Sequence, residues 1–172
     1  MFKRIIAATA GLAAIVTGAA GVTALAATET HSDDRHDAAP RFDIVRAVFN
    51  NGDQRLSGKA KVANLRYGGE QYFSFTFSPR NSPDVYFTAF SKLHADDSLT
   101  NRLIVHNDIG EVSRIPCNVT SIWSPGADTV RVSIPRDCVD GLSGSQYMSV
   151  NLGPTARRGT QDRVIAASVR QG

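Results

Sequence analysis

The sequence predicts an all-β fold, an antiparallel β-sandwich of the Ig-like or jelly-roll-like kind with about eight to ten short strands and one disulfide. Three observations predict it. Apolar residues past position 40 recur with period two, turn-forming residues separate those runs at short intervals, and no window there carries a capped helical stripe. A β-barrel is the second architecture that fits the same pattern.

Met1 to Ala26 reads as a secretory signal peptide. Lys3 and Arg4 form its positive start, and Ile5 to Leu25 carries no charge. Ala24-Leu25-Ala26 places small residues where signal peptidase reads them, so cleavage is expected between Ala26 and Ala27. A membrane anchor is the competing reading, but the run is rich in Ala, Gly and Thr and would insert poorly. The protein is therefore expected to be secreted and extracellular, with no membrane attachment after cleavage.

The whole chain has 19 Lys plus Arg and 16 Asp plus Glu. Without Lys3 and Arg4 the balance is 17 minus 16, or +1. So small a charge gives no electrostatic reason to seek nucleic acid or an anionic membrane.

Residues 27–40 read as a disordered polar linker, apolar only in Ala and unable to offset its ordering entropy by burial. His31, Asp33, Asp34, His36 and Asp37 are metal-ligating types, but a mobile segment fixes no geometry. No metal and no other cofactor is expected.

The β domain spans 41–172. Leu56, Gly58, Ala60 and Val62 alternate with Arg55, Ser57, Lys59 and Lys61. Phe73, Phe75 and Phe77 alternate with Tyr72, Ser74, Thr76 and Ser78, and Val130, Val132 and Ile134 with Thr129, Arg131 and Ser133. Met148, Val150 and Leu152 alternate with Tyr147, Ser149 and Asn151. Successive strand side chains point to opposite faces, so each run has one dry and one wet face. Further strands are expected over 42–49, 85–90, 102–106, 111–117, 119–123 and 163–169. Asn51-Gly52 signals a hairpin. Tyr67-Gly68-Gly69, Ser78 to Pro83, His106 to Asp108 and Ser124-Pro125-Gly126 supply the other turns.

Cys117 and Cys138 are the only cysteines, and in an exported protein they are expected to pair. A loop of this length gives about 3.4 kcal/mol in the chain-entropy picture. A hairpin centred on Ser124 to Ala127 would set Trp123 opposite Asp128 and Cys117 opposite Ile134. Cys138 would then lie too far along a straight strand, so the chain must bend back at Pro135-Arg136-Asp137.

The run from Cys117 through Trp123-Ser124-Pro125-Gly126 and Val130-Arg131-Val132-Ser133-Ile134-Pro135-Arg136 to Cys138 resembles a group of small secreted actinobacterial proteins. In these a signal peptide and polar linker precede one β-sandwich-like domain with an aromatic-x-Pro turn and a flanking Cys pair. The resemblance implies an extracellular β domain. It implies no activity and supplies no catalytic residue.

No nucleophile motif accompanies the four His. Gly141-Leu142-Ser143-Gly144-Ser145 is not G-x-S-x-G and reads as a loop between strands. Asp96, Asp97, Asp108 and Glu111 lack EF-hand spacing and read as solvated turn acids. Arg157-Arg158 reads as a solvated pair, and the sequon at Asn118-Val119-Thr120 as chance. Trp123 has two readings, a plug for the end of the sandwich or a stacking platform for a sugar or peptide. Tyr72 and Tyr147, with Tyr67 and Tyr86, fall on outward or edge positions and could extend such a surface. The expected function is therefore non-catalytic: binding of an extracellular polysaccharide or protein at a surface including Trp123, Tyr72 and Tyr147. The alternatives are a secreted inhibitor or effector acting through the disulfide-braced 117–138 loop, and an extracellular hydrolase whose site forms only in the fold.

Overall fold

The computed structural model describes residues 27–34, 37–107, 109–155 and 161–172. The expected signal peptide, His36, Asp108 and the Arg157-Arg158 pair lie outside these residues. Eleven strands are present among those described. They are β1 (Ala27–Ser32), β2 (Ile44–Asn51), β3 (Arg55–Val62), β4 (Gln71–Pro79), β5 (Tyr86–Leu93) and β6 (Leu99–His106), followed by β7 (Val112–Ile115), β8 (Thr120–Ser124), β9 (Thr129–Pro135), β10 (Gln146–Pro154) and β11 (Asp162–Val169). One sheet has the order β1-β2-β3-β9-β8, and the other β11-β10-β4-β5-β6-β7. Every pairing is antiparallel. The all-β sandwich expected from the period-two pattern is the fold observed. No helix among the described residues is long and apolar enough to cross a membrane.

The core is the set of inward residues the alternation marks. Phe73, Phe75 and Phe77 of β4 face Leu56, Ala60 and Val62 of β3 and Val130, Val132 and Ile134 of β9, all fully buried. Each large apolar side chain so buried contributes about 1.5–3 kcal/mol. The sheets approach closely at Gly58, where a Cβ would stand 2.7 Å from both the Phe75 ring and Val150 Cγ1. No larger residue fits there without displacing the opposite sheet.

The chain changes sheet between β3 and β4, between β7 and β8, and between β9 and β10. Cys117 lies on the second crossing and Cys138 on the third. Their disulfide, with Cα atoms 5.6 Å apart, ties the two crossings together. The bend expected after β9 is a short 3-10 turn over Arg136–Val139. Arg136 fixes that end of the sandwich. Its guanidinium donates to the carbonyls of Gly52 and Leu142 and to Asn51 Oδ1.

Two sequence expectations are corrected. Ala27–Ser32 is not a disordered linker segment but an edge strand, in register with β2 from Ala27 opposite Asn51 to Ser32 opposite Arg46. Its stability comes from backbone hydrogen bonds to an otherwise open edge, which polar side chains do not oppose. His31 also packs its ring edge-on to Phe49, with centroids 5.8 Å apart. The second correction is the β8–β9 register, in which Trp123 faces Val130, not Asp128. Pro125–Ala127 forms a single 3-10 turn closed by Asp128 at φ 49°, a left-handed conformation that Asp tolerates, so the connection uses four residues.

Candidate functional site

Strands β4, β5, β6, β10 and β11 present their second faces to solvent, and that face is hollow. It forms a trough of about 910 Å³. Register explains its shape. Across the middle, Ile165, Ser149, Thr76, Thr88 and Ile104 stand side by side on β11, β10, β4, β5 and β6. The neighbouring row is Arg163, Asn151, Ser74, Phe90 and Arg102. The central three strands carry short side chains in both rows, except Phe90, while the flanking strands carry long ones. The floor is therefore low and the walls are high. Ser74, Thr88 and Ser149 lie so deep that each is only 4–5% exposed.

The floor is polar and tied together. Asn151 Nδ2 donates to Ser74 Oγ at 3.3 Å, and the hydroxyls of Thr76 and Thr88 lie 3.2 Å apart. Aromatic side chains stand at both ends. Tyr72 and Lys92 are paired at one end, and Tyr72 donates its hydroxyl hydrogen bond to Gln161 Oε1. Partial burial raises the Tyr72 phenol above its usual pKa. Tyr147 and Tyr86 stand at the other end, each 38% exposed, with the Tyr86 ring stacked on His106. The two ends are three side-chain rows apart, about 20 Å.

The sequence-predicted residues separate into two places. Tyr72 and Tyr147 line the trough, and so does Tyr86. Trp123 does not. It points from β8 into the core, 6% exposed, and its Nε1 donates to Ser91 Oγ at 2.9 Å. The plug is the arrangement found, and the indole has no face open to a ligand. Tyr67 lies elsewhere and donates from its hydroxyl to the Trp123 carbonyl at 3.0 Å. Residues 117–138 are not a free loop, because β8 and β9 are both strands of the five-stranded sheet and β9 lies between β3 and β8.

Phe90, Arg102 and Arg163 belong to the trough but carry no signal in the sequence. Their grouping depends on β4 pairing with β10, about seventy positions later, and no local pattern reports that.

An acid, an imidazole and a hydroxyl fall in line at the Lys92 end. His94 Nε2 lies 2.8 Å from Thr100 Oγ1, and His94 Nδ1 lies 3.8 Å from Glu70 Oε1. This is the order of a catalytic triad, but 3.8 Å is no hydrogen bond. Glu70 instead accepts from Lys92 Nζ at 2.8 Å, and that bond holds its carboxyl below the usual range. His94 thus faces Glu70 only at long range, while the short bond of that carboxylate goes to Lys92.

A separate acidic cluster joins the N-terminal segment to β11. Oxygens of Asp33, Asp37 and Asp162 all lie within 4.8 Å of one another. Burial pushes the Asp162 carboxyl up to about 6, and the neighbouring carboxylates of Asp33 and Asp37 add to the shift. Backbone N–H groups of Ile44 and Arg163 oppose it, donating to the two Asp162 oxygens at 2.5 and 2.6 Å. Burial also raises Asp33. Three carboxylates suit a hard cation by residue type, but the most buried of them already spends both oxygens on the backbone.

No protein-family model, no curated protein and no solved structure matches the chain.

Proposed function

We propose that this is a secreted, non-catalytic β-sandwich protein that binds an extracellular polysaccharide along the trough of its six-stranded sheet. The observation that carries the reading is the pairing of a hydroxyl- and amide-lined floor with aromatic rings at both ends. A sugar ring has an apolar face of C–H groups and a rim of hydroxyls. Tyr72, Tyr86 and Tyr147 offer faces for the first, and Thr76, Thr88 and Asn151 offer partners for the second. An open trough suits a chain passing through it better than a small ligand, which pockets largely enclose.

Binding rather than cleavage is favoured by the lining itself. No Asp or Glu is among the described residues of the trough, and glycoside hydrolysis ordinarily needs two carboxyl groups. The disulfide and the signal-like segment 1–26 support an oxidising, extracellular location. The resemblance to small secreted actinobacterial proteins belongs to the same reading.

Affinity gel electrophoresis against a panel of soluble polysaccharides tests it. The parent protein should be retarded by at least one polymer, and Tyr72→Ala with Tyr147→Ala should migrate freely while melting at the parent's temperature. A parent that no polymer retards would end the proposal.

A further inference from the structure

The trough is one-sided in charge. Arg102, Arg163 and Lys92 line it, with His94 and His106, and no carboxylate does so among the described residues. A chain whose mature balance is +1 has no reason of composition to gather cations on one face and keep acids off it. Lys92 is neutralised from the rim by Glu70, at 2.8 Å. Arg102 and Arg163 have no carboxylate partner among the described residues. They stand in one row on opposite walls, with Asn151, Ser74 and Phe90 between them. Four strand spacings separate their backbones, about 19 Å. The Arg102 guanidinium lies over the Phe90 ring, 5.2 Å from its centroid, which limits its freedom and leaves its N–H fork for an anion.

We propose that the polymer this trough takes is an acidic glycan, a polysaccharide bearing carboxylates that Arg102 and Arg163 engage from opposite sides while the aromatic ends hold its sugar rings. The inference rests on the glycan-binding reading and adds the ligand's charge. Guanidinium groups match carboxylates in a two-pronged hydrogen bond, and within walls that exclude part of the solvent such a bond outweighs its counterpart in open water. A neutral glycan would leave two unpaired cations facing it, and a bare polyanion would leave the aromatic ends idle.

The test is titration calorimetry of residues 27–172 against four probes: polygalacturonate, a neutral glucan such as dextran, dextran sulfate and poly-L-glutamate. Polygalacturonate should bind, and its affinity should fall several-fold between about 50 and 300 mM NaCl as exposed charges are screened. Arg102→Gln with Arg163→Gln should lower that affinity by roughly tenfold or more, with an unchanged melting temperature. Dextran binding as tightly as polygalacturonate, without salt dependence, would overturn the charge inference and leave the glycan-binding reading standing. Poly-L-glutamate matching polygalacturonate would show attraction by charge alone and overturn both. Dextran sulfate binding more tightly than polygalacturonate would replace the carboxylate by a sulfate ester and overturn the inference as stated. No binding to any probe defeats both readings.

Discussion

Tyr86 on β5 and His106 on β6 lie directly opposite each other, with ring centroids 4.3 Å apart and planes inclined by 9°. The stack forms one end of the trough, and it is built from the first residue of β5 against the last residue of β6. Tyr86→Ala should remove a ligand surface without removing core. Stability should change by less than about 0.5 kcal/mol, as at other exposed positions. Glycan affinity should fall roughly two- to tenfold, the scale of a lost aromatic contact. Equal retardation of variant and parent in the affinity gel would take Tyr86 out of the binding face.

Trp123 is the opposite case. Trp123→Ala should cost about 3–5 kcal/mol, since it leaves a large cavity under β8. Trp123→Phe should cost less, yet more than packing alone explains, because Ser91 then lies buried with its hydroxyl unpaired. The native emission of this single tryptophan should be blue-shifted and move red on unfolding. Native emission like that of indole in water would contradict the buried position.

The disulfide joins two sheet crossings, so its loss should loosen both without removing a strand. Cys117→Ser with Cys138→Ser should lower stability by about 2–4 kcal/mol and leave the far-ultraviolet β signal in place. Alkylation of the unreduced parent should add no mass. Labelling at either thiol would refute the bond.

Deleting residues 27–34 removes β1 and with it the cover on the β2 edge and the His31–Phe49 ring contact. A fall in melting temperature of more than about 5 °C is expected, corresponding to roughly 1–2 kcal/mol in a domain of this size. An unchanged melting temperature would mean that the edge strand contributes nothing.

Asp162 sets a pH dependence. Its carboxyl titrates near 6 in the folded chain, against an ordinary value of 3.8. The folded state therefore holds a proton that the unfolded state has released between these values. Stability from this group is fully present below about pH 4 and is lost as pH rises through about 6. Asp33 is shifted in the same direction. After allowance for screening by water, the loss should be roughly 1–2 kcal/mol. Urea midpoints between about pH 4 and 7 should fall for the parent, and Asp162→Asn should flatten the slope. A parent midpoint that rises over that range would reverse the assignment.

The sequence carried those parts of the fold that one strand can express alone. Phe73, Phe75 and Phe77 announce a dry face because polar Ser74, Thr76 and Ser78 alternate with them on the other side. β1 gave no such signal, since an edge strand needs only its backbone and its side chains are free to be polar. Trp123 could be placed in a hairpin but not in its register, because the four-residue connection depends on the left-handed conformation of Asp128. Tyr72 and Tyr147 read as outward residues, but their common trough required knowing that β4 and β10 are neighbours. The same applies to Asp162, whose acidity is set by burial and by contributions that include Ile44, Asp33 and Asp37, more than one hundred positions earlier.

The strand order also sets a timetable. β4 lies between β5 and β10, and β3 between β2 and β9, so neither sheet has its middle until the final third of the chain exists. Ile44 waits for the Asp162 carboxylate, and the Asn51 side chain donates to the Val169 carbonyl at 2.9 Å. Closing such long loops is entropically slow, so a chain emerging from its N-terminus lacks both sheet centres until β9 and β10 have been made. The Cys117–Cys138 span is short by comparison and is complete before the first residue of β10. The covalent link is thus available to form ahead of the sandwich, leaving β10 and β11 to be the last pieces seated.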